Sequence, residues 1–245
     1  HPQVVSLDED ELQRYLDLTS KISKNVHKDK HGKVQLSEYA KMLLIKRARI
    51  VAGAVSKLEK LKELMLDYQS DNQILVYCGD TTLHDVDYRE LGMRVTKFTS
   101  EEDADERERI KSDFAEGTHL QAVVAIRCLD EGVNIPSIRT AFIMASSTNP
   151  KEYIQRRGRV LRKYPGKRYA TIFDFITLPI PLEDVGNYDE DVIDSTRSLA
   201  LREIVRMKDF ASIAENPFDS DSLIAAIQSA YDIDTLNEED ESEYV

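Results

Sequence analysis

The stretch that decides the fold reads Ile74-Leu75-Val76-Tyr77-Cys78. It is a continuous apolar run, without the polar alternation of a strand that has one face in water. Such a run is typical of a strand covered on both faces, as in a parallel sheet. Four further candidate strands lie at residues 94–99, 120–126, 140–146 and 169–176. Because helical patterns separate several of them, we predict parallel β-α-β units and a doubly wound α/β fold, with a mainly parallel sheet flanked by helices.

The helix predicted between the second and third strands covers residues 101–116. Gly117 is expected to end it, because glycine adopts the left-handed conformation of a helix C-terminus at low cost. Ser100 is the expected cap, since Asp103 follows three residues later in capping-box-like spacing. A second helix is predicted to open at Pro150, a residue that suits the first helical turn.

One connection in this pattern is barely long enough. Residues 79–92 lie between the first two candidate strands, and a parallel crossover takes a dozen or more residues, usually as a helix. The segment is only weakly helical. We therefore expect either a stub of helix there or residues missing from the chain near His84.

Helical segments flank the α/β region on both sides. Before it we predict a strand at 4–7, a helix at 8–24, a loop at 27–33, and a helix at 37–65 that Ser37 caps and Gly53 interrupts. After it we predict a helix at 192–215 and another that Asp219 or Ser220 caps and that ends near Tyr231. The predicted domains are therefore a helical lead-in at 1–71, the α/β domain at 72–181, and a helical extension with an acidic tail at 182–245.

Length, charge and composition limit the classes of protein to which this chain can belong. The 245 residues carry a formal net charge of −12 and are 41% hydrophobic, which is enough for a substantial core. We expect no membrane span, because no apolar run approaches about 18 residues, and no signal-peptide pattern opens the chain. Cys78 and Cys128 lie in or beside apolar runs, so buried free thiols and a reducing cytoplasm are expected, and a zinc site is not. Because the sequence begins at His1, we expect a piece of a longer protein.

An arginine cluster marks the candidate site. Residues 155–162 place four arginines and one glycine in an otherwise acidic chain. Arg159 and Arg162 are three apart, so on a helix they share a face. Arginine suits phosphate, because its planar guanidinium stays charged and binds with two donors. The alternative is a solvated basic face that pairs with the many carboxylates of the chain.

Four segments in order resemble the C-terminal RecA-like domain of superfamily 2 helicases, over about residues 72–175. The similarity is to the DEAD/DEAH-type restriction and repair helicases of bacteria. The segments are 74–79, the strand, turn and helix of 98–117, the strand and loop of 123–136, and the arginine-rich 153–162. The resemblance implies a RecA-like fold and an ATP-dependent motor that moves on nucleic acid, with DNA as the expected substrate.

The resemblance also implies roles for individual residues. Arg159 and Arg162 would be arginine fingers directed at the γ-phosphate of ATP, and Gln155 would help to position them. The implied nucleotide contacts are Glu131, Gly132 and Asn134, and the implied nucleic-acid contacts are Gly79, Thr99 and Arg127. Two positions depart from the family pattern: Asn134 stands where aspartate is usual, and Ile126 where threonine is common. Both changes weaken the ribose and phosphate contacts expected there.

The other half of such a motor is not found in this sequence. No Gly-x-x-x-x-Gly-Lys-Ser/Thr motif and no DEAD/DEAH box for magnesium occurs. We therefore expect ATP and Mg²⁺ to be bound mainly by an N-terminal RecA-like domain of the same protein. The chain alone is expected to be inactive.

Two other classes of function stay open. The chain could be a non-catalytic, helicase-like interaction module, in which the helical flanks at 8–67 and 192–231 dock a nuclease or methyltransferase subunit. An α/β enzyme for small molecules has little support, because no Ser/His/Asp elbow or paired carboxylate site stands out.

Overall fold

The computed structural model describes residues 1–28, 34–79, 92–99, 101–126, 135–144 and 150–233. The chain forms two compact units. The first unit contains His1–Gln3 and Lys57–Phe175, and the second contains Val4–Ser56 and Ile176–Val245. The predicted domain boundaries after residues 71 and 181 stay predictions.

The described strands and helices follow the predicted order closely. The strands are β1 (Pro2–Ser6), β2 (Val26–Lys28), β3 (Val34–Leu36), β4 (Ile74–Cys78), β5 (Val95–Phe98), β6 (Ala122–Ile126), β7 (Thr140–Ile143) and β8 (Thr171–Leu178). The helices are α1 (Glu9–Ser23), α2 (Glu38–Ala52), α3 (Val55–Leu66), α4 (Ala104–Glu116), α5 (Pro150–Val160), α6 (Glu190–Ala211) and α7 (Pro217–Ala230).

One six-stranded sheet has the order β1-β8-β7-β4-β6-β5 and is parallel. Strand β4 pairs with β6 on one side and β7 on the other, and all of its residues are buried. The apolar run at 74–78 therefore predicted its place correctly, and the expected α/β fold with helices around a parallel sheet is confirmed. Strand β5 lies at the far edge, beyond β6. The connection near His84 lies outside the described residues.

Aromatic packing fills part of the core of the first unit. The rings of Phe142 on β7 and Phe173 on β8 stack with their centroids 4.9 Å apart. Tyr68 meets both rings edge-on, at 5.8 Å and 5.6 Å. Such offset and edge-on contacts suit the charge distribution of aromatic rings, so they stabilise the pairing of β7 with β8.

Helix α4 starts later than predicted. Asp103, not Ser100, caps it: the Asp103 carboxylate accepts a hydrogen bond from the Glu106 N–H at 2.8 Å. An aspartate at this position satisfies a free N–H group of the first turn, so the helix begins at Ala104. Gly117 ends the helix at φ 73° in the left-handed region, as predicted. Ser100 itself lies outside the described residues.

Other boundaries also differ from the predictions. Two short strands, β2 and β3, pair antiparallel on either side of the loop that was expected at 27–33. Each has three residues, which are too few to give a periodic pattern. The helix expected at 37–65 is capped by Ser37 and interrupted at Gly53, as predicted, and therefore forms two helices, α2 and α3. Helix α6 begins at Glu190, two residues before the predicted start. Helix α7 begins at Pro217, because proline suits the first helical turn. Asp219 and Ser220 therefore lie inside the helix, and neither caps it.

The second unit has a core of its own, built by α1, α2, α6, α7 and the chain around β8 and its exit. Tyr15 and Tyr231 are fully buried in it, together with aliphatic side chains such as Ile204 and Ile227. None of the described helices is long and apolar enough to cross a membrane. Cys78 is buried and is not part of a disulfide, whereas Cys128 lies outside the described residues.

Candidate functional site

The arginine cluster lies at the C-terminal end of α5, the helix between β7 and β8. The helix ends at Val160, so the prediction that Arg159 and Arg162 share a helical face is wrong. Arg162 lies in the turn beyond the helix, where its N–H donates to the Arg159 carbonyl at 3.4 Å. This i to i−3 bond tightens the end of the helix and keeps the two arginines in one turn of chain.

Arg159 carries a buried donor that no described residue satisfies. Its Nη1 atom is buried and has no hydrogen-bond partner in the part of the chain that the structure describes. The side chain as a whole is half-buried. A buried N–H group without a partner is costly, so such a group is an expected contact for a ligand oxyanion. A phosphate oxygen would satisfy it with a charge-assisted hydrogen bond.

Gln155 lies one helical turn before Arg159, on the same side of α5, and its side chain is exposed. Between them, Gly158 is exposed, and a methyl group built on it would meet nothing within 4 Å. Crowding among the described residues therefore does not explain why this position is a glycine.

A lysine that the sequence did not single out holds the end of this helix. The Lys167 ammonium donates to the backbone carbonyls of Val160, of Arg162 at 3.1 Å, and of Pro136 at 3.3 Å. The last carbonyls of a helix lack partners within it, and their partial negative charge favours a cation. Burial lowers the pKa of Lys167, and the charge of Arg139 lowers it further.

A tight turn delivers Lys167 to this position. Its N–H donates to the Tyr164 carbonyl at 3.0 Å, and Gly166 has a φ of 72°. Proline and then glycine in the two central positions fit a type II turn, in which the second central residue has positive φ. Arg139 fixes the turn from outside, because its Nη1 donates to the Gly166 carbonyl at 3.2 Å.

The predicted nucleic-acid contacts follow the carboxyl ends of neighbouring strands. Gly79 comes directly after β4, and Thr99 comes directly after β5. The carboxyl ends of parallel strands lie at one edge of the sheet, which is where open α/β sheets bind ligands. The third predicted contact, Arg127, follows β6 and lies outside the described residues. Its side chain therefore stays a prediction.

The donors of Thr99 are already engaged by one carboxylate. The Thr99 N–H donates to Glu102 at 2.7 Å, and its hydroxyl donates to the other Glu102 oxygen at 3.0 Å. Arg107 donates to the carbonyls of both residues, at 3.3 Å and 3.1 Å. A phosphate that bound Thr99 would need the same two donors. It would therefore have to displace the Glu102 carboxylate.

The predicted nucleotide contacts Glu131, Gly132 and Asn134 lie outside the described residues, so their roles stay predictions. Among the residues that are described, no group of His, Cys, Asp and Glu side chains is arranged to hold a metal ion. Lys167 and Glu102 are the residues that sequence reasoning missed. The Pro165-Gly166 turn was the available signal for Lys167, and the Thr-x-x-Glu capping spacing was the signal for Glu102.

Comparison with known proteins finds a family and a curated protein that are similar to this chain in sequence. Residues 56–164 match the family described as helicase conserved C-terminal domain. The DNA 3'-5' translocase XPB2 of Sulfurisphaera tokodaii is 30% identical over 154 residues, which cover 60% of this chain and 32% of the translocase. The chain thus spans about a third of the length of that curated relative.

Two solved structures share the fold. The C-terminal part of the Fun30 ATPase domain has a TM-score of 0.54 at 12% identity, covering 86% of this chain and 96% of that one. The SWI2/SNF2 ATPase core of Sulfolobus solfataricus, solved with dsDNA, has a TM-score of 0.54 at 15% identity, covering 96% and 48%. Residues 56–164 thus match a helicase conserved C-terminal domain in sequence, and the parallel sheet flanked by helices has the RecA-like fold of helicase domains.

Proposed function

We propose that the chain is the C-terminal half of an ATP-dependent helicase or translocase that acts on DNA. Arg159 and Arg162 supply positive charge to the γ-phosphate of ATP, which a second RecA-like domain of the same protein binds together with Mg²⁺. The observation that carries this proposal is the buried Nη1 of Arg159, a cationic donor without a described partner on the helix that carries the arginine cluster.

The choice of DNA rests on the relatives. The curated relative is named a DNA 3'-5' translocase, and one structural neighbour was solved with dsDNA. The narrower assignment to the restriction or repair helicases of bacteria rests on the resemblance of the four motif segments. Under that assignment a nuclease or methyltransferase subunit is the expected protein partner, and the cytoplasm is the expected location.

In this mechanism the proposed site residues do two kinds of work. The guanidiniums of Arg159 and Arg162 stabilise the negative charge that develops during phosphoryl transfer, an effect worth about 10³–10⁵ in rate in related chemistry. Gln155 helps to orient them, and Glu131, Gly132 and Asn134 contact the nucleotide. Gly79, Thr99 and Arg127 hold backbone phosphates, so binding is independent of base sequence and weakens with salt. Closure of the two RecA-like domains on ATP couples these sites.

Substitution of the fingers in the full-length protein tests the proposal. Arg159→Ala and Arg162→Ala should each lower ATP turnover, by about a thousandfold for Arg159, while the Kd for ATP changes little. Arg109→Ala is the matched control, because Arg109 is an exposed arginine on α4 that pairs only loosely with Glu106 at 3.8 Å. DNA-stimulated turnover measured at saturating ATP gives the result. Wild-type turnover in Arg159→Ala would refute the finger assignment.

The isolated chain provides a second test. We expect it to bind ATP weakly and to hydrolyse none, because the motifs that hold the phosphates and magnesium lie elsewhere. Calorimetry with ATP and Mg²⁺, and a turnover assay with DNA present, measure both quantities. Appreciable DNA-stimulated hydrolysis by the pure chain would contradict the proposed division of labour. A full-length protein without turnover would instead favour the non-catalytic interaction module.

A further inference from the structure

We propose that Lys167 is a positioning residue, which fixes the C-terminal end of α5 and thereby sets the direction in which Arg159 and Arg162 point. This inference rests on the proposed function of the two arginines. It adds a residue that lies outside the four motif segments of the resemblance.

The contacts of Lys167 are suited to holding backbone rather than a ligand. An ammonium group has three N–H donors, and Lys167 directs them at three backbone carbonyls. Two of these carbonyls, those of Val160 and Arg162, flank the turn in which the helix ends. One side chain therefore fixes the backbone immediately after Arg159 and at Arg162 itself.

The third carbonyl joins this helix end to another motif segment. Pro136 is the last residue of the segment 123–136, on which the resemblance places the nucleotide contacts. The Lys167 Nζ atom therefore bonds both to the end of that segment and to the end of α5. It lies 3.3 Å from the Pro136 carbonyl oxygen and 3.1 Å from the Arg162 carbonyl oxygen. A displacement of either segment therefore strains the other.

The cost of placing a lysine here supports a role beyond filling space. Burial and the charge of Arg139 both disfavour the ammonium form, and no described carboxylate forms an ion pair with Lys167. The surrounding turn is itself fixed: Arg139 donates from Nη1 to Gly166 and from Nε to the Gln73 side chain at 2.7 Å. The ammonium group of Lys167 is thus held by three carbonyls at a fixed point beside the arginine-bearing helix, although burial lowers its pKa.

The test uses the full-length protein and three variants in which a lysine is replaced. Lys167→Met keeps most of the length of the side chain but removes its donors, and Lys167→Arg keeps a charged donor. Lys111→Met is the matched control, because Lys111 is a partly exposed lysine on α4 that pairs with Glu108 at 2.7 Å. We expect Lys167→Met to lower kcat about tenfold to a hundredfold with little change in KM for ATP, since small misplacements of catalytic groups have effects of that size. Lys167→Arg should recover part of the loss, and Lys111→Met should match the wild type.

A double-mutant cycle separates positioning from a general loss of stability. If Lys167 acts through the two arginines, then adding Lys167→Met to Arg159→Met should lower kcat by clearly less than the same change does in the wild type, whereas independent effects would multiply. Hydrogen exchange should also show faster exchange at the Leu161 and Arg162 amides in Lys167→Met, with α4 unchanged. Unchanged kcat in Lys167→Met, or a full further loss in the double variant, would overturn the inference alone. Wild-type turnover in Arg159→Met would overturn the proposed function and this inference with it.

Discussion

Tyr231 and the backbone of Ile180 exchange two hydrogen bonds in the core of the second unit. The Tyr231 hydroxyl donates to the Ile180 carbonyl at 2.8 Å and accepts from the Ile180 N–H at 3.1 Å. Tyr231 is fully buried and follows the last described helix, so its side chain fastens that end of the chain to the segment that leaves β8. This single phenol satisfies both backbone groups of a buried residue.

Loss of this hydroxyl should destabilise the second unit. Tyr231→Phe leaves the Ile180 N–H and C=O without their partner, and the expected cost is about 1–3 kcal/mol. Urea unfolding of the chain, followed by circular dichroism, measures the change in the free energy of unfolding. Tyr169→Phe is the control, because Tyr169 is 57% exposed and should be neutral. Equal stability of the two variants would contradict a structural role for the Tyr231 hydroxyl.

The same phenol predicts a loss of stability at high pH. Burial raises the pKa of Tyr231 well above its ordinary value of 10. Because the folded state holds the proton more tightly, the stabilisation is complete below about pH 10 and declines as pH rises further. The free energy of unfolding of wild type should therefore fall more steeply between about pH 10 and 11 than that of Tyr231→Phe. Parallel pH profiles of the two proteins would show that Tyr231 does not titrate on unfolding.

Two glycines should respond in opposite directions to the same substitution. At Gly117 φ is 73°, and an added Cβ would lie 3.1 Å from the Cβ of Asn72, so Gly117→Ala should cost about 1–2 kcal/mol. At Gly158 an added Cβ meets nothing within 4 Å inside a helix, so Gly158→Ala should stabilise the chain by about 0.5–1 kcal/mol. Thermal unfolding of both variants measures the difference. A Gly158→Ala variant less stable than the wild type would reveal crowding at that face.

The sheet was predictable because its signals are local. The run Ile74 to Cys78 is apolar at every position, and the structure buries all of it between β6 and β7. The signal for the end of α4 is equally local, because a glycine directly after a helical pattern predicts a left-handed residue there, and Gly117 has that conformation. Such features depend on the few residues that the sequence places side by side.

The arrangement of the candidate site was less predictable because it depends on distant contacts. Nothing in the periodicity of residues 155–162 indicates that α5 stops at Val160, where Lys167 meets the last carbonyls from a turn seven residues on. Nor does the sequence show that Pro136 shares that ammonium, since the contact joins residues 31 positions apart. Tertiary hydrogen bonds set the position of Arg162, and helical spacing alone could not anticipate them.

The contact between Glu102 and Thr99 predicts that one carboxylate competes with nucleic acid. Thr99 gives both of its donors to Glu102, so a backbone phosphate has to displace a negative charge from the same place. Glu102→Gln in the full-length protein should therefore tighten binding to duplex DNA by about twofold to fivefold at low salt, the range of a partly exposed charge interaction. Fluorescence anisotropy with a labelled duplex at two salt concentrations measures this gain, which should shrink as salt rises. Glu108→Gln, the same charge change at the exposed Glu108 on α4, serves as the control. An equal gain in both variants would mean that only net charge matters and that Thr99 does not hold a phosphate.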